Sequence, residues 1–353
     1  MHIETYYLQR RVEYARSVKG RKKIFLDTNF WIYLRDASLC TDGGVGSKLL
    51  EQALAGVRDG RYIFPVSHEI LVEIFAQTEK KSIYKSCELI DELSEGMCII
   101  PCDARKELEL FNQFREIENE AKLEISEMAW TKTPYDSGLI FGPLPGLKNY
   151  DLLNAQIKAI DDMWNKSLRD RIEVLDYGNG RSSPRFPDIS EILNEQKNKH
   201  KDTFNSRCEA YLALVHTDLN DCGEMFDSLV AKDLIQIDGE GDYVKLRKSI
   251  VNDIQNHVYK HTESGTDLER LSSIHIPAAI FSAIHWDKRR KFKKNDWLDF
   301  QHATAALSFC DLFFTEGPLK SLITRKDLNL DNVYNCVVLS TPEDASEILR
   351  QQS

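Results

Sequence analysis

Ile24-Phe25-Leu26-Asp27-Thr28-Asn29 is the stretch on which the fold turns. Three apolar residues run straight into a carboxylate and two polar residues, and Phe30-Trp31-Ile32 follows at once. A short apolar run without alternation reads as a strand buried on both faces, the form that strands take inside parallel sheets. Asp27 then stands at the exit of a buried strand, where an acid can be aimed into a cleft. By its own neighbourhood it could equally be a turn-forming residue.

Working outward, the same alternation recurs. Residues 22–27 read as the first strand, and 28–36 and 47–58 as helices divided by the break Asp42-Gly43-Gly44. Arg61 to Val66 is a second strand signal, and Ser67 an N-cap for a helix with Ile70, Leu71, Ile74 and Phe75 at helical spacing. Met97-Cys98-Ile99-Ile100 is a third apolar run, stopped by Pro101. Near the other end, helices are expected at 276–287, 297–309 and 343–351, with strands over Asp311–Thr315 and Cys336–Leu339. Strands alternating with helices at both ends predict an α/β fold, a parallel sheet flanked by helices.

The middle differs. Residues 103–264 are mostly polar, with helical stretches near 104–129, 150–173, 190–217 and 245–262, turn signals at Thr133-Pro134, Gly142–Gly146 and Gly178–Gly180, and one strand signal at Leu234–Ile237. The expected organisation is a helical arm over 1–17, a core formed by 18–102 plus 265–353, and a helical insertion over 103–264. The charge is −10, which argues against a general nucleic-acid coat but leaves local patches open. No apolar run is long enough for a membrane span, and none follows the N-terminus as a secretory signal would. The eight cysteines lack a CxxC spacing, so reduced thiols in a cytoplasmic protein are expected rather than structural zinc.

Three further acids stand in constrained settings. Glu73 flanks the apolar stripe of Ile70 and Ile74. Asp299 shares a helix face with Ala303, Ala306 and Cys310. Glu316 follows a predicted strand and precedes Gly317-Pro318. Each has a plain alternative: a surface acid for Glu73, an N3 acid behind an Asp296 cap for Asp299, a loop acid for Glu316. Together they change the reading, because ligands of open parallel sheets bind at the carboxyl ends of strands. Crowded carboxylates repel one another, and a hard divalent cation relieves them; Mg²⁺ or Mn²⁺ suits all-oxygen donors better than zinc does.

Four ordered segments carry a family resemblance: Ile24–Asn29; Pro65-Val66-Ser67 leading to Glu73; Asn295-Asp296-Trp297-Leu298-Asp299-Phe300-Gln301-His302-Ala303; and Cys310–Glu316. In order and setting they resemble the motifs of PIN-domain ribonucleases, over roughly 20–102 and 270–345. The resemblance implies a PIN-like core and a metal-dependent endoribonuclease. In it Asp27, Glu73 and Asp299 would hold the metal, Glu316 would stand at the fourth acidic position, and Asn29 and Thr315 would be polar supports. Many members carry an aspartate two residues after the threonine of the last motif, where this chain has Gly317. The resemblance also implies a toxin or defence role, which leaves room for an inhibitory or regulatory protein partner. A DNA nuclease and a catalytically silent nucleic-acid or protein-binding scaffold are the alternatives, and a homo-oligomer is open.

Lys288-Arg289-Arg290-Lys291-Phe292-Lys293-Lys294 places six cations in seven residues directly before Asp296 and Asp299. On an acidic chain that run suits phosphate, so RNA is the expected substrate partner, with Phe292 a candidate to stack on a base. The alternative is a solvated loop. His302 is a candidate to contact phosphate or hold Asp299, or to be a satisfied structural histidine.

Overall fold

A computed structural model describes residues 3–39, 43–117, 121–133, 149–175, 187–221, 256 and 268–351. The strand expected at Leu234–Ile237, the helix at 245–262 apart from residue 256, and the glycine loops at 142–146 and 178–180 lie outside these residues.

The fold is α/β, with a four-stranded parallel sheet among many helices. An N-terminal helix α1 (Ile3–Ser17) leads into β1 (Lys22–Leu26). Ile24, Phe25 and Leu26 have no exposed surface, so the apolar run is covered on both faces as a parallel strand requires. Then come α2 (Thr28–Leu39), α3 (Val45–Arg58), β2 (Tyr62–Ile63), α4 (His68–Phe75), α5 (Lys80–Ser94) and β3 (Met97–Ile99). The middle of the chain supplies α6 (Cys102–Ile117), α7 (Ile125–Met128), β4 (Trp130–Lys132), α8 (Asn149–Trp164), α9 (Leu168–Leu175), α10 (Ser190–Lys199) and α11 (Arg207–Asp221). The last stretch holds α12 (Ser272–Trp286), α13 (Asp296–Phe309), β5 (Leu312–Phe314), α14 (Gly317–Ile323), α15 (Leu330–Val333), β6 (Val337–Leu339) and α16 (Pro342–Gln351).

The strand order is β2-β1-β5-β6. Lys22 and Lys23 pair with Tyr62 and Ile63 on one side; Ile24, Phe25 and Leu26 pair with Leu312, Phe313 and Phe314 on the other. From β1 the chain goes first to one neighbour and, some 250 residues later in sequence, to the other. That places the topological switch point between β1 and β5, and in open parallel sheets a crevice opens outside the strand ends there. The ladder continues one residue beyond both strands: the Asp27 amide donates to the Phe314 carbonyl at 3.0 Å, and the Thr315 amide to the Leu339 carbonyl at 2.8 Å.

Two features depart from the sequence reading. The second strand is shorter than 61–66, yet Val66 bridges Cys98 in parallel and so ties β3 to the sheet end. β3 in turn pairs antiparallel with β4, a strand inside the region that reads as helical. Three residues, Trp130-Thr131-Lys132, are too few to show a period, and they follow a helical pattern directly. The N-terminal helix is also docked on this region: Tyr6 donates to Asp161 at 2.7 Å and Arg11 to the Trp130 carbonyl at 2.9 Å. Cys87, Cys98, Cys102, Cys208, Cys310 and Cys336 carry free thiols. Among the described residues no helix is long and apolar enough to cross a membrane.

Candidate functional site

Asp27 is 5% exposed and caps α2: its Oδ1 accepts the Phe30 amide at 3.0 Å, while its carbonyl accepts the Trp31 amide at 3.1 Å. The turn-forming role is therefore real, and it fixes the carboxylate at the mouth of the switch point. Glu316 stands two residues after β5, one further than Asp27 stands after β1, at the N-cap of α14 (φ −77°, ψ 154°), where its side chain makes no capping bond. Glu73 reaches the same place from α4 and Asp299 from the first turn of α13. All four line one cleft of about 470 Å³, together with Thr28, Asn29, His302 and Lys294.

Two hydrogen bonds knit distant parts of this cleft together. Thr28 donates its hydroxyl to Glu73 Oε2, and Asn29 donates its amide to Glu316 Oε1. The polar pair after Asp27 thus holds one glutamate on each side. His302 is 2% exposed, with Nε2 at 3.3 Å from Glu73 Oε2. Thr315 is buried, and its hydroxyl sits near enough to Asp27 to favour the ionised acid slightly, short of good hydrogen-bond geometry. Asp296 is buried and lies outside the cleft lining. Its Oδ2 accepts the Lys293 amide at 3.0 Å and its Oδ1 lies 3.6 Å from the Arg290 guanidinium, so it holds the basic turn onto the start of α13. Asn295, not Asp296, occupies the N-cap position.

The acids feel one another. Burial first, then the charges of Asp27, Asp296, Glu316 and Glu73, push the Asp299 carboxyl up to about 7. Burial pushes Asp27 up to about 6, against the Phe30 amide bond that favours its charge. The donor set is all carboxylate oxygen, the chemistry of a hard divalent cation. Among the described residues, however, no three acidic, histidine or cysteine side chains converge on one ligand point. Each glutamate oxygen named above is instead spent on Thr28 or Asn29.

The basic run is placed beside this cleft. Lys288, Arg289, Lys291, Lys293 and Lys294 are exposed and Arg290 is half-buried; Lys294 lines the cleft itself. Phe292 departs from expectation. It is 5% exposed and packs on Phe281 at 5.3 Å between ring centres, so it is core and cannot stack on a base. The reason is the apolar surface that α12 offers it, which a local reading of a cationic run does not see.

Several contributors have no signal in the sequence. Pro187 and Asp188, from the middle region, line the cleft. Thr28 is adjacent to Asp27, but its bond to Glu73 spans 45 residues. Gly317, where an aspartate would stand by resemblance, has an ordinary backbone and nothing within 4 Å of an added Cβ, so sterics do not demand glycine there. No family model, no curated protein and no solved structure matches the chain, and the site stands on its own geometry and chemistry.

Proposed function

We propose that the chain is a PIN-like, divalent-metal-dependent endoribonuclease. The observation that carries the reading is the gathering of Asp27, Glu73, Asp299 and Glu316 in one cleft at the strand ends of a parallel switch point, with Lys294 at its side. The four ordered motifs that resemble PIN-domain ribonucleases supply the same four acids independently. Mg²⁺ or Mn²⁺ fits the donor chemistry, and Asp27, Glu73, Asp299 and Glu316 would hold it. When bound, such an ion lowers the pKa of a water and neutralises charge at an in-line displacement on phosphorus. Thr28 and Asn29 engage only one oxygen of each glutamate, which leaves the other oxygen of Glu73 and of Glu316 for the ion. Asp27, capped into α2, is the fixed member. Lys294 draws in the phosphate backbone, and the exposed cations before it extend that field. Cleavage leaving a 5′-phosphate is what the resemblance implies, as is control by an inhibitory partner in a toxin or defence setting.

A catalytically silent nucleic-acid-binding scaffold is the second reading. The bonds from Thr28 to Glu73 and from Asn29 to Glu316 favour it, since they give each glutamate a partner without an ion. Asp27→Asn separates the readings. It keeps the acceptor for the Phe30 amide, so the helix cap survives, and it should reduce Mn²⁺-dependent cleavage of single-stranded RNA to background. Equal cleavage by the variant in a clean preparation overturns the metal role. The same assay on single-stranded and branched DNA distinguishes a DNA nuclease.

A further inference from the structure

The basic turn between α12 and α13 is built more firmly than a solvated loop needs to be. Lys197, on α10, is 8% exposed and donates its ammonium to three carbonyls of the α12 end and the turn: Ile284 and Asp287 at 2.7 Å each, and Arg290. Asn194, one turn earlier on α10, donates to the Phe292 carbonyl at 2.8 Å and accepts the Phe292 amide at 2.9 Å. Phe292 is sunk into the core, and Asp296 holds the far side through the Lys293 amide. A buried lysine spent on backbone carbonyls is costly to desolvate. Here it fixes the path of a chain whose own side chains point positive charge outward.

One large aromatic stands in the open at the start of that turn. Trp286, the last residue of α12, is 43% exposed and makes no ring contact among the described residues. Beside it come the exposed Lys288, Arg289 and Lys291, and the turn ends at Lys294 in the acidic cleft. An exposed aromatic on a cationic strip matches a chain of phosphates carrying unstacked bases. Duplex bases are stacked and paired and cannot use such a ring.

We infer that Trp286 and the pinned turn Lys288–Lys294 form a stacking and phosphate-binding track for single-stranded nucleic acid. That it leads to the acidic cleft as substrate rests on the nuclease reading; the binding itself does not. The α10 helix of the middle region, through Lys197 and Asn194, positions the track and touches no ligand.

The test is fluorescence-anisotropy binding of a labelled 12-nucleotide single strand to the full chain in EDTA, so that cleavage is silent. Trp286→Ala should weaken binding about fivefold to 150-fold, the range that one base–aromatic stack carries. Trp286→Phe should restore most of it. An abasic strand of the same length should bind wild type and Trp286→Ala alike, whereas Lys288→Ala combined with Lys291→Ala should weaken both strands and flatten the salt dependence. RNA and DNA strands of one sequence, run in parallel, tell the two sources of the same chemistry apart. Equal affinity of wild type and Trp286→Ala for the base-bearing strand overturns the track, as does preference for duplex RNA. Trp286-dependent binding without cleavage at any divalent concentration upholds the track and sinks the nuclease reading. Cleavage unaffected by Trp286→Ala does the reverse.

Discussion

Asp299→Asn should make the metal-free protein more stable, and increasingly so as pH rises from about 4 to about 7. The wild-type carboxyl is pushed from 3.8 up to about 7 by burial and four neighbouring acids. The folded chain therefore holds this proton more tightly than the unfolded chain does. The sign follows: the group costs nothing below about pH 3, where it is protonated in both states. Its penalty grows as pH rises and is complete above about pH 7. Three pH units at about 1.4 kcal/mol each would set about 4 kcal/mol, and water reaching the partly open side chain reduces this to about 2 kcal/mol. Asparagine keeps the shape and removes the charge. Urea denaturation in EDTA should show the variant ahead by about 2 kcal/mol at pH 8 and by only about 0.5 kcal/mol at pH 4.5. Saturating Mg²⁺ should invert the order at pH 8, because an ion bound at a hundred times its Kd adds about 2.7 kcal/mol to wild type and little to a variant lacking one ligand. A variant that is less stable than wild type at pH 8 in EDTA, or ahead by the same margin at both pH values, refutes the picture of crowded, repelling carboxylates.

Two further outcomes test the frame around the cleft. Gly56→Ala would place a Cβ 2.0 Å from the Tyr62 ring, whose hydroxyl donates to the Leu349 carbonyl at 3.2 Å; thermal denaturation should show a loss of about 1–3 kcal/mol, and no loss would mean the ring moves freely. Arg105 is 1% exposed, and its buried guanidinium lies against Cys102 and the buried Glu69 and Glu109. Arg105→Leu should cost about 3–5 kcal/mol by leaving those acids without a cation, measured by chemical denaturation at pH 8, and a neutral result would show that the charges compensate elsewhere.

The strand-and-helix succession around Asp27 was legible because each element is encoded locally. Ile24–Leu26 and Leu312–Phe314 are apolar throughout, since both faces of a central parallel strand are covered, and the helices between carry their own periodicity. The place of Asp27 was legible for a related reason: a carboxylate directly after a buried strand has few places to go. β4 was not, because Trp130–Lys132 is a strand only through pairing with Met97–Ile99. Phe292 was misread for the same kind of reason. Its burial depends on the surface that Phe281 of α12 offers it, and no residue near it in sequence says so.

The sequence by itself determined an α/β chain with acids at strand exits, a cationic run before Asp299 and a helical middle region. Tertiary structure alone decided that Thr28 holds Glu73 and Asn29 holds Glu316, across 45 and 287 residues. It alone decided that Asp188 comes to the cleft and that Lys197 pins the basic turn. The physical reason is range. Propensity and periodicity act over one or two turns of chain, whereas a cleft, its hydrogen bonds and the repulsion that pushes Asp299 upward exist only once separate segments share one volume.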